Sequence, residues 1–286
     1  MLDLKCLERP RNPEEAVRLF SEAEGAGLYV AGGTVVVSAG SPNLDFLVDL
    51  GRAGLDYERV VAGADVPHLA IGAATRISDL ARSPEASRLA TGVLCQAASA
   101  VASHTIRNRA TVGGNVLSWA FPSDLPPALL ALDARALLLA CRGETEIDLD
   151  EFFRAPRDAF RKGDLMVEVR VPLEASRFSG SFLKSGRKRL DVAIVNCAVA
   201  LDVEGGVIRE ARIALGGVDS VPVRAREAEG LLAGRPVAEA GFEDAARAAA
   251  EPLEPRSDHR ASAGYRKKLA AVLARRALVR AAGASR

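Results

Sequence analysis

Two pairs of adjacent glycines, far apart in the sequence, constrain the fold of this chain more than any other feature. The first pair lies in residues 30–36 (Val-Ala-Gly-Gly-Thr-Val-Val), directly after a short apolar run, and the second in residues 111–116 (Thr-Val-Gly-Gly-Asn-Val). Paired glycines let another group approach the backbone closely and can adopt positive φ. Two such turns can clasp one phosphate-bearing ligand from both sides, which requires a fold that brings them together.

The residues around the first pair indicate a small α/β unit. Asn12-Pro13-Glu14-Glu15 predicts the start of a helix, because Asn caps well, Pro fits the first helical position, and acidic side chains favour the positive helix end. Short strands are predicted on either side of the glycines, at 28–30 and 47–50. Helix, strand, glycine turn and strand together form one unit.

The middle section and the last third of the chain differ from this unit, and from each other, in their predicted secondary structure. The middle section predicts one long helix at 83–103, a short helix after a cap at Ser123, and four strands, at 69–75, 136–140, 145–149 and 165–171. The last third predicts three strands and then helices, the longest at 261–281. Strands followed by helices favour a separate α+β domain with a small helical bundle, whose strands are predicted at 181–184, 192–201 and 207–215.

Composition excludes several classes of protein. Lys plus Arg number 38 and Asp plus Glu 37, so no net field attracts the chain to nucleic acid or to an anionic membrane. The sequence shows neither a signal peptide nor an apolar stretch that could span a bilayer, which predicts a cytoplasmic protein without membrane insertion. The four cysteines are scattered without a C-x-x-C pair, and the three histidines stand far apart, so no metal site is predicted. The simplest interpretation of the cysteines is buried, unreactive thiols.

Neither glycine pair matches a common nucleotide motif. The sequence contains no G-x-G-x-x-G fingerprint at these positions and no Walker loop. Gly-Gly-Thr alone is explained better by an ordinary β-turn. The longer string at 105–115 (Thr-Ile-Arg-Asn-Arg-Ala-Thr-Val-Gly-Gly-Asn) is far more specific.

With that string the chain resembles the FAD-binding medium subunit of the molybdenum hydroxylase family, of the xanthine dehydrogenase and aerobic carbon monoxide dehydrogenase type. The resemblance covers essentially the whole chain. The matching segments follow one another in the order expected for the family: 31–34, 106–115, 123–129, 191–195, 213–218 and 257–266.

The resemblance implies an α+β fold with two FAD-binding subdomains of the vanillyl-alcohol-oxidase/PCMH type. These would be residues 1–55 and 56–175, with the flavin in the cleft between them. A C-terminal α+β domain, residues 176–286, would contain a three-stranded sheet and a helical bundle.

The resemblance also implies non-covalently bound FAD, with no catalytic residue and no metal ligand on this chain. The FAD diphosphate would be held by two groups of residues: Val30, Ala31, Gly32, Gly33, Thr34 and Val35, and Thr111, Gly113, Gly114 and Asn115.

Four further residues are implied to contact the cofactor. Asp124, preceded by Ser123, would accept hydrogen bonds from ribityl or ribose hydroxyls, because a carboxylate repels a diphosphate. Capping the following helix is the alternative role, and both can coexist. Lys184 would stabilise negative charge on the reduced flavin, or else is a surface lysine at a strand end. Asp191 would follow a loop near the reactive edge of the flavin.

The sequence departs from the family pattern in two places. Val35 and Val36 stand where relatives commonly carry a polar residue, and no aromatic residue occurs between 185 and 191 to cover the ring. Trp119 and Phe121, which follow the second glycine pair, either line the cleft or pack beneath it.

The implied function is electron transfer within a complex. A large molybdopterin subunit would hydroxylate the substrate, a small subunit with [2Fe-2S] clusters would relay the electrons, and the FAD of this chain would deliver them to an acceptor. The assembly would be a heterotrimer or a dimer of heterotrimers. Two alternatives are a cofactor-less scaffold or assembly homologue and a stand-alone flavin oxidoreductase. The organic substrate, and the choice among NAD, quinone and oxygen as acceptor, stay open.

Overall fold

Three β-sheets organise the chain in the computed structural model, which describes residues 4–38, 44–62, 66–118, 122–155 and 163–284. The strands are β1 (Cys6–Glu8), β2 (Gly27–Val30), β3 (Phe46–Asp49), β4 (Glu58–Val61), β5 (His68–Gly72), β6 (Arg135–Ala140), β7 (Gly143–Asp148), β8 (Leu165–Pro172), β9 (Ser179–Ser185), β10 (Val195–Glu204), β11 (Val207–Gly216) and β12 (Val223–Arg224).

Helices connect and cover these sheets. They are α1 (Pro13–Glu22), α2 (Thr34–Ser38), α3 (Ile77–Leu80), α4 (Pro84–Arg88), α5 (Val93–Ala100), α6 (His104–Arg107), α7 (Val112–Val116), α8 (Leu125–Ala131), α9 (Leu149–Arg154), α10 (Arg226–Gly230), α11 (Phe242–Ala250) and α12 (Ala263–Ala284). As the sequence predicted, Asn12 caps α1, its side chain accepting the backbone N–H of Glu15.

The sheets differ in strand direction. The N-terminal sheet has the order β1-β3-β2 and is parallel. The middle sheet, β4-β5-β8-β6-β7, and the C-terminal sheet, β12-β11-β10-β9, are antiparallel. The mixed α+β fold expected from the resemblance is therefore present.

The middle sheet is covered on both faces, because side chains alternate along a strand. On β6, Leu137 and Leu139 pack with Phe20 of α1 and with the N-terminal sheet. Ala136 and Leu138 point to the opposite face, into the core formed with helices α3, α4, α5, α7 and α8.

Strand β10 links that same core to the C-terminal helices. Its odd-numbered residues from Val195 to Leu201 face the core under α11 and α12. Ala198 and Ala200 face the core of the middle helices. Asn196 lies on this second side, so β10 directs one polar side chain towards α8.

The long helix predicted at 83–103 is wrong, because tertiary contacts break it into α4 and α5. Ala90, Thr91 and Gly92 have φ of 43°, 49° and 74°. In this conformation the Thr91 hydroxyl accepts the backbone N–H of Gly180 at 2.8 Å and donates to its carbonyl at 2.9 Å. The break therefore attaches the middle helices to β9.

Two further predictions need correction. The C-terminal sheet has four strands, not three, since the two-residue β12, too short to show a pattern in the sequence, pairs with β11. The cysteines are not uniformly buried: Cys6 and Cys141 are exposed, Cys95 is half-buried, and only Cys197 is buried. Cys6 and Cys141 lie at strand ends near the surface, where apolar neighbours do not enclose them.

No helix within the described ranges is long and apolar enough to cross a membrane. Across the same ranges no three or more His, Cys, Asp or Glu side chains cluster as they would around a metal ion.

Arg266 fastens α12 to the ends of β10 and β11. Its side chain is nearly buried, and Nη1 donates to the carbonyl oxygens of Ile194 at 2.5 Å and Gly217 at 3.2 Å. Nη2 donates to Oδ1 of Asp258 at 2.8 Å. The same oxygen accepts the backbone N–H groups of Arg260 and Ala261, at 2.8 and 3.1 Å. Asp258 therefore orients the guanidinium group that holds the long helix.

This arrangement predicts acid-sensitive stability. Burial acts to raise the pKa of Asp258, but the hydrogen bonds from Arg260, Arg266 and Ala261 outweigh it and lower the pKa to about 2. Because an unfolded Asp titrates near ~3.9, the carboxylate stabilises the fold fully above that pH and loses this effect as the pH falls towards 2. Asp258→Asn should therefore lower the urea midpoint at neutral pH, and the difference from wild type should shrink as the pH falls from about 4 to about 2.

Asp244→Asn is the matched control, since Asp244 is exposed and its one ion-pair partner among the described residues is Arg247, at 3.8 Å. Its midpoint should follow wild type at every pH. A difference between Asp258→Asn and wild type that stays constant down to the lowest pH would show that the ionised carboxylate has no such role.

Candidate functional site

One cleft of about 560 Å³ brings the sequence-predicted site residues together. Its size falls within the usual range for small-molecule and cofactor sites, roughly 300–1,000 Å³. The walls come from the turn after β2, from α7, from the start of α8, from the end of β9 and from the loop after β9. The predicted residues that line it are Val30, Ala31, Gly32, Gly33, Thr34, Val35, Thr111, Gly113, Gly114, Asn115, Ser123, Asp124, Lys184 and Asp191.

The first glycine turn, residues 31–34, touches the backbone that leads into α7. A Cβ at position 32 would lie 2.0 Å from the carbonyl oxygen of Arg109, so only glycine fits there. Gly33 has a φ of 70°, which glycine adopts without strain. The described residues provide no hydrogen-bond acceptor for the backbone N–H of Gly32 or Gly33. The turn therefore presents two N–H donors at the cleft wall.

The second glycine segment, residues 111–115, is the start of a helix and not a turn. Thr111 caps α7, and neither Gly113 nor Gly114 has a positive φ, so the expected conformational freedom is not used. Gly113 is required by packing instead: a Cβ would lie 2.8 Å from that of Ala73, whose carbonyl accepts the Gly113 N–H at 2.8 Å. Packing against β5 and the residues that follow it therefore determines the backbone conformation of residues 111–115.

Gly114 differs from Gly113 because a side chain added at this position would face the cleft. The only atom within 4 Å of a Cβ built there is Oγ1 of Thr111, at 3.0 Å. That oxygen also accepts the Gly114 N–H at a long 3.3 Å. Gly114 is exposed, so its backbone can meet a ligand directly.

Asn115 connects α7 to α8. Its Oδ1 accepts the backbone N–H of Leu125, the first residue of α8, at 3.1 Å. Asn115 thus satisfies a helix-start donor that the sequence analysis assigned to Ser123 or Asp124. Neither of those residues provides a side-chain cap, so the capping interpretation is wrong for both.

Asp124 instead forms a buried ion pair with Lys184. Nζ of Lys184 lies 2.6 Å from Oδ2 of Asp124 and donates to the carbonyl of Ala100 at 2.9 Å. The side chain of Lys184 is only 10% exposed, so the alternative of a surface lysine is wrong. Asn196, which the sequence analysis did not single out, donates to Oδ1 of Asp124 at 2.8 Å.

The charge of Asp124 depends on opposing effects. Burial raises its pKa, and the ammonium group of Lys184 and the amide of Asn196 oppose that rise. The pair remains a fixed charge arrangement at the cleft wall as long as both partners stay in place.

The loop after β9 closes one side of the cleft with Leu190, Asp191 and Val192. Asp191 holds the loop together: its Oδ2 accepts from Nε of Arg187 at 3.0 Å, and Oδ1 accepts the Val192 N–H at 3.1 Å. The bond from Arg187 lowers the pKa of Asp191.

Apolar side chains that the sequence analysis missed also line the cleft. Leu190 is 52% exposed, and three others of the same kind come from β2, α6 and the end of α7: Leu28, Ile106 and Leu117. Exposed large apolar groups gathered in one cleft are typical of a site for a partly apolar ligand. No local pattern marked them, because they come from separate elements. Trp119 and Phe121 lie outside the described residues.

Comparison with family models assigns both parts of the chain. Residues 3–174 match the FAD binding domain in molybdopterin dehydrogenase. Residues 180–281 match the CO dehydrogenase flavoprotein C-terminal domain.

Individual proteins are similar over nearly the full length. The subunit alpha of the 6-hydroxypseudooxynicotine dehydrogenase complex of Paenarthrobacter nicotinovorans is 32% identical, over 94% of this chain and 91% of that protein. The carbon monoxide dehydrogenase medium chain of Hydrogenophaga pseudoflava is 30% identical, over 94% of each.

A solved structure shares the fold. It is carbon monoxide dehydrogenase from Hydrogenophaga pseudoflava lacking the Mo-pyranopterin moiety of the molybdenum cofactor. One of its chains matches with a TM-score of 0.90 and 29% identity, over 100% of this chain and 99% of that one.

The contact between the first glycine turn and Arg109 predicts that Gly32→Ala disturbs the fold. The added methyl group meets backbone atoms, which cannot move aside as a flexible side chain would, so the two segments must separate. We expect a loss of about 1–3 kcal/mol in the free energy of unfolding, measured by denaturant titration. Gly264→Ala, at an exposed position of α12 with nothing within 4 Å, should cost nothing measurable. Equal stability of both variants would contradict the contact.

Proposed function

This chain belongs to the family of FAD-binding subunits of molybdopterin dehydrogenases, and on that premise we propose that it binds one FAD non-covalently in the cleft and transfers electrons within a molybdenum hydroxylase complex. The observation that supports the proposal most is the meeting of both glycine segments, Lys184 and Asp124 in one cleft. The chain is accordingly an oxidoreductase subunit, as its relatives named dehydrogenases are.

The donors and surfaces of the cleft fit the parts of FAD. The N–H groups of Gly32 and Gly33, the hydroxyl of Thr111 and the backbone at Gly114 are suited to the diphosphate, since each donates a hydrogen bond or permits close approach. Residues 30, 31, 34 and 35 and Gly113 would shape this part of the wall. Asn115 would contribute its Nδ2, because its Oδ1 is already used by α8.

The apolar part of the cleft lining fits a flat, partly apolar ring. Leu28, Ile106, Leu117 and Leu190 supply apolar surface, and Lys184 supplies a cation. FAD, when bound, accepts electrons singly and can release them in pairs. A cation beside it would stabilise the negative charge that reduction adds.

Asp124, Ser123 and Asp191 would complete the site. Each carboxylate oxygen of Asp124 has one protein partner and a further lone pair, which can accept a hydrogen bond from a ribityl or ribose hydroxyl. Ser123 offers a hydroxyl next to it. Asp191 would act mainly by holding the loop that brings Leu190 to the cleft.

We also propose the route of the electrons and the partners that supply them. A large molybdopterin subunit would oxidise the substrate, and a small subunit with [2Fe-2S] clusters would pass the electrons to the FAD of this chain. Two relatives support this: one is a subunit of a named dehydrogenase complex and the other a medium chain. Their names give different substrates, 6-hydroxypseudooxynicotine and carbon monoxide, although both resemble this chain along nearly their whole length. Substrate choice would therefore belong to the large subunit.

The cleft predicts about one FAD per chain, released by acid or heat, and a strong dependence on Gly114. Gly114→Val should fold normally, because only Thr111 lies near the added group, and should place its methyl groups where the diphosphate approaches. We expect FAD binding, measured by fluorescence titration of the FAD-free chain, to weaken about tenfold or more.

Gly230→Val is the matched control, since Gly230 lies at the exposed end of α10 with nothing within 4 Å. It should bind FAD as the wild type does. Equal affinity of the two variants would show that the diphosphate lies elsewhere. A wild-type chain that binds no added FAD would favour the cofactor-less scaffold.

The proposed division of labour predicts that the isolated, FAD-loaded chain oxidises no aldehyde, purine or carbon monoxide. Hydroxylation would require the large subunit, so candidate substrates should bleach the flavin absorbance only in the reconstituted complex. The matched measurement adds dithionite to the isolated chain, which should bleach the flavin without partners. Substrate-driven bleaching in the isolated chain would instead establish a stand-alone flavin oxidoreductase.

A further inference from the structure

Asn196 on β10 is a fully buried amide that faces the ion pair of the cleft wall. Its Nδ2 donates to Oδ1 of Asp124 at 2.8 Å and to the backbone carbonyl of Ser123 at 3.0 Å. Lys184, on the neighbouring strand β9 and directly opposite Asn196 in the register, donates to the other oxygen of Asp124. Each oxygen of this carboxylate therefore has its own donor, from two adjacent strands.

Burying the amide of Asn196 in this position costs free energy. Its Oδ1 is buried and has no hydrogen-bond partner among the residues that the structure describes. A buried, unpaired polar atom costs free energy, about 1–3 kcal/mol. Turning the amide over would not help, because both groups that meet Nδ2 are acceptors. The two hydrogen bonds to Asp124 and Ser123 determine the orientation.

The surrounding backbone makes room for the unpaired oxygen. A Cβ at Gly216 would lie 2.2 Å from Oδ1 of Asn196 and 3.0 Å from Cγ of Pro127. The neighbouring Ala198 and Ala200 are small, so α8 packs closely on this face of β10. An apolar side chain could fill the same space, yet it would remove the donor that serves Oδ1 of Asp124 and the carbonyl oxygen of Ser123.

We propose that Asn196 is a positioning residue for electron transfer by the bound FAD: its amide holds the Asp124 carboxylate so that Asp124 and Lys184 stay a neutral ion pair beside the flavin. The inference rests on the proposed function, because the flavin must lie at this wall. Asn196 itself touches no cofactor and acts through Asp124.

The consequence for the cofactor follows from charge. Without the amide, Oδ1 of Asp124 is left bare in a buried site, which favours the protonated carboxyl group. Lys184 is then less fully compensated, and the wall becomes more positive. Reduction adds negative charge to the flavin, so a more positive wall favours it and raises the midpoint potential.

The experiment measures the flavin midpoint potential and the FAD affinity of the FAD-loaded full chain, for wild type and Asn196→Leu. The variant should show a more positive potential. In an Asp124→Asn background, Asn196→Leu should produce no further shift, because the group through which it acts is gone. Cys197→Ala is the control, because Cys197 is the next residue on β10, is equally buried and faces the opposite core. The flavin midpoint potential of this variant should equal that of the wild type.

Asn196→Ser provides a second variant if Asn196→Leu does not fold. Its hydroxyl can still donate but has a shorter reach, so the shift should have the same sign and be smaller. Wild-type potentials in both Asn196 variants, with only thermal stability reduced, would overturn the proposal and leave Asn196 a structural residue. An equal shift with and without Asp124 would overturn it as well. A wild-type chain that binds no FAD would overturn the proposed function itself, which the wild-type titration detects before any variant is compared.

Discussion

At Gly32 the turn after β2 lies against the carbonyl group of Arg109, so closely that a methyl group would come within 2.0 Å of the oxygen. The position of Arg109 is set in turn by α7, whose first N–H groups, those of Val112 and Gly113, bond to the carbonyls of Thr75 and Ala73 after β5. The middle sheet thus determines where the second glycine segment lies, and that segment determines where the first can lie. Both walls of the proposed diphosphate site follow from this chain of backbone contacts.

A second constraint comes from the C-terminal part, which completes the cleft with charge. Asp124 precedes α8, Lys184 lies near the end of β9, and Asn196 lies near the start of β10, so three elements meet at one carboxylate. Removing one partner of a buried ion pair leaves an uncompensated charge and is strongly destabilising. The same interaction therefore joins the C-terminal sheet to the middle helices and places the cation in the cleft. Stability and the proposed tuning of the flavin depend on the same atoms.

The sequence was sufficient to predict an element where the residues of that segment alone determine its structure. The cap at Asn12 and a strand over most of β10 have that character, and both were predicted. The break at Ala90 to Gly92 was not, because it depends on a contact between Thr91 and Gly180 on a distant strand. The helical start at Gly113 depends on Ala73 in the same way. The family resemblance supplied the candidate site residues, but not Asn196 or the apolar wall, since packing across elements creates both.

The apolar wall has a consequence for the stability of the cleft. Leu28, Ile106, Leu117 and Leu190 come from separate parts of the chain, and each leaves more than a third of its surface exposed. A bound flavin ring would cover that surface, and each square ångström removed from water stabilises the bound state by about 25 cal/mol. A ligand that binds only the folded chain adds its binding free energy to the free energy of unfolding. The loop held by Asp191 would gain most, because Leu190 is the most exposed of the four and a bound ring would bury it. Cofactor loss and loosening of this loop are then two aspects of one equilibrium.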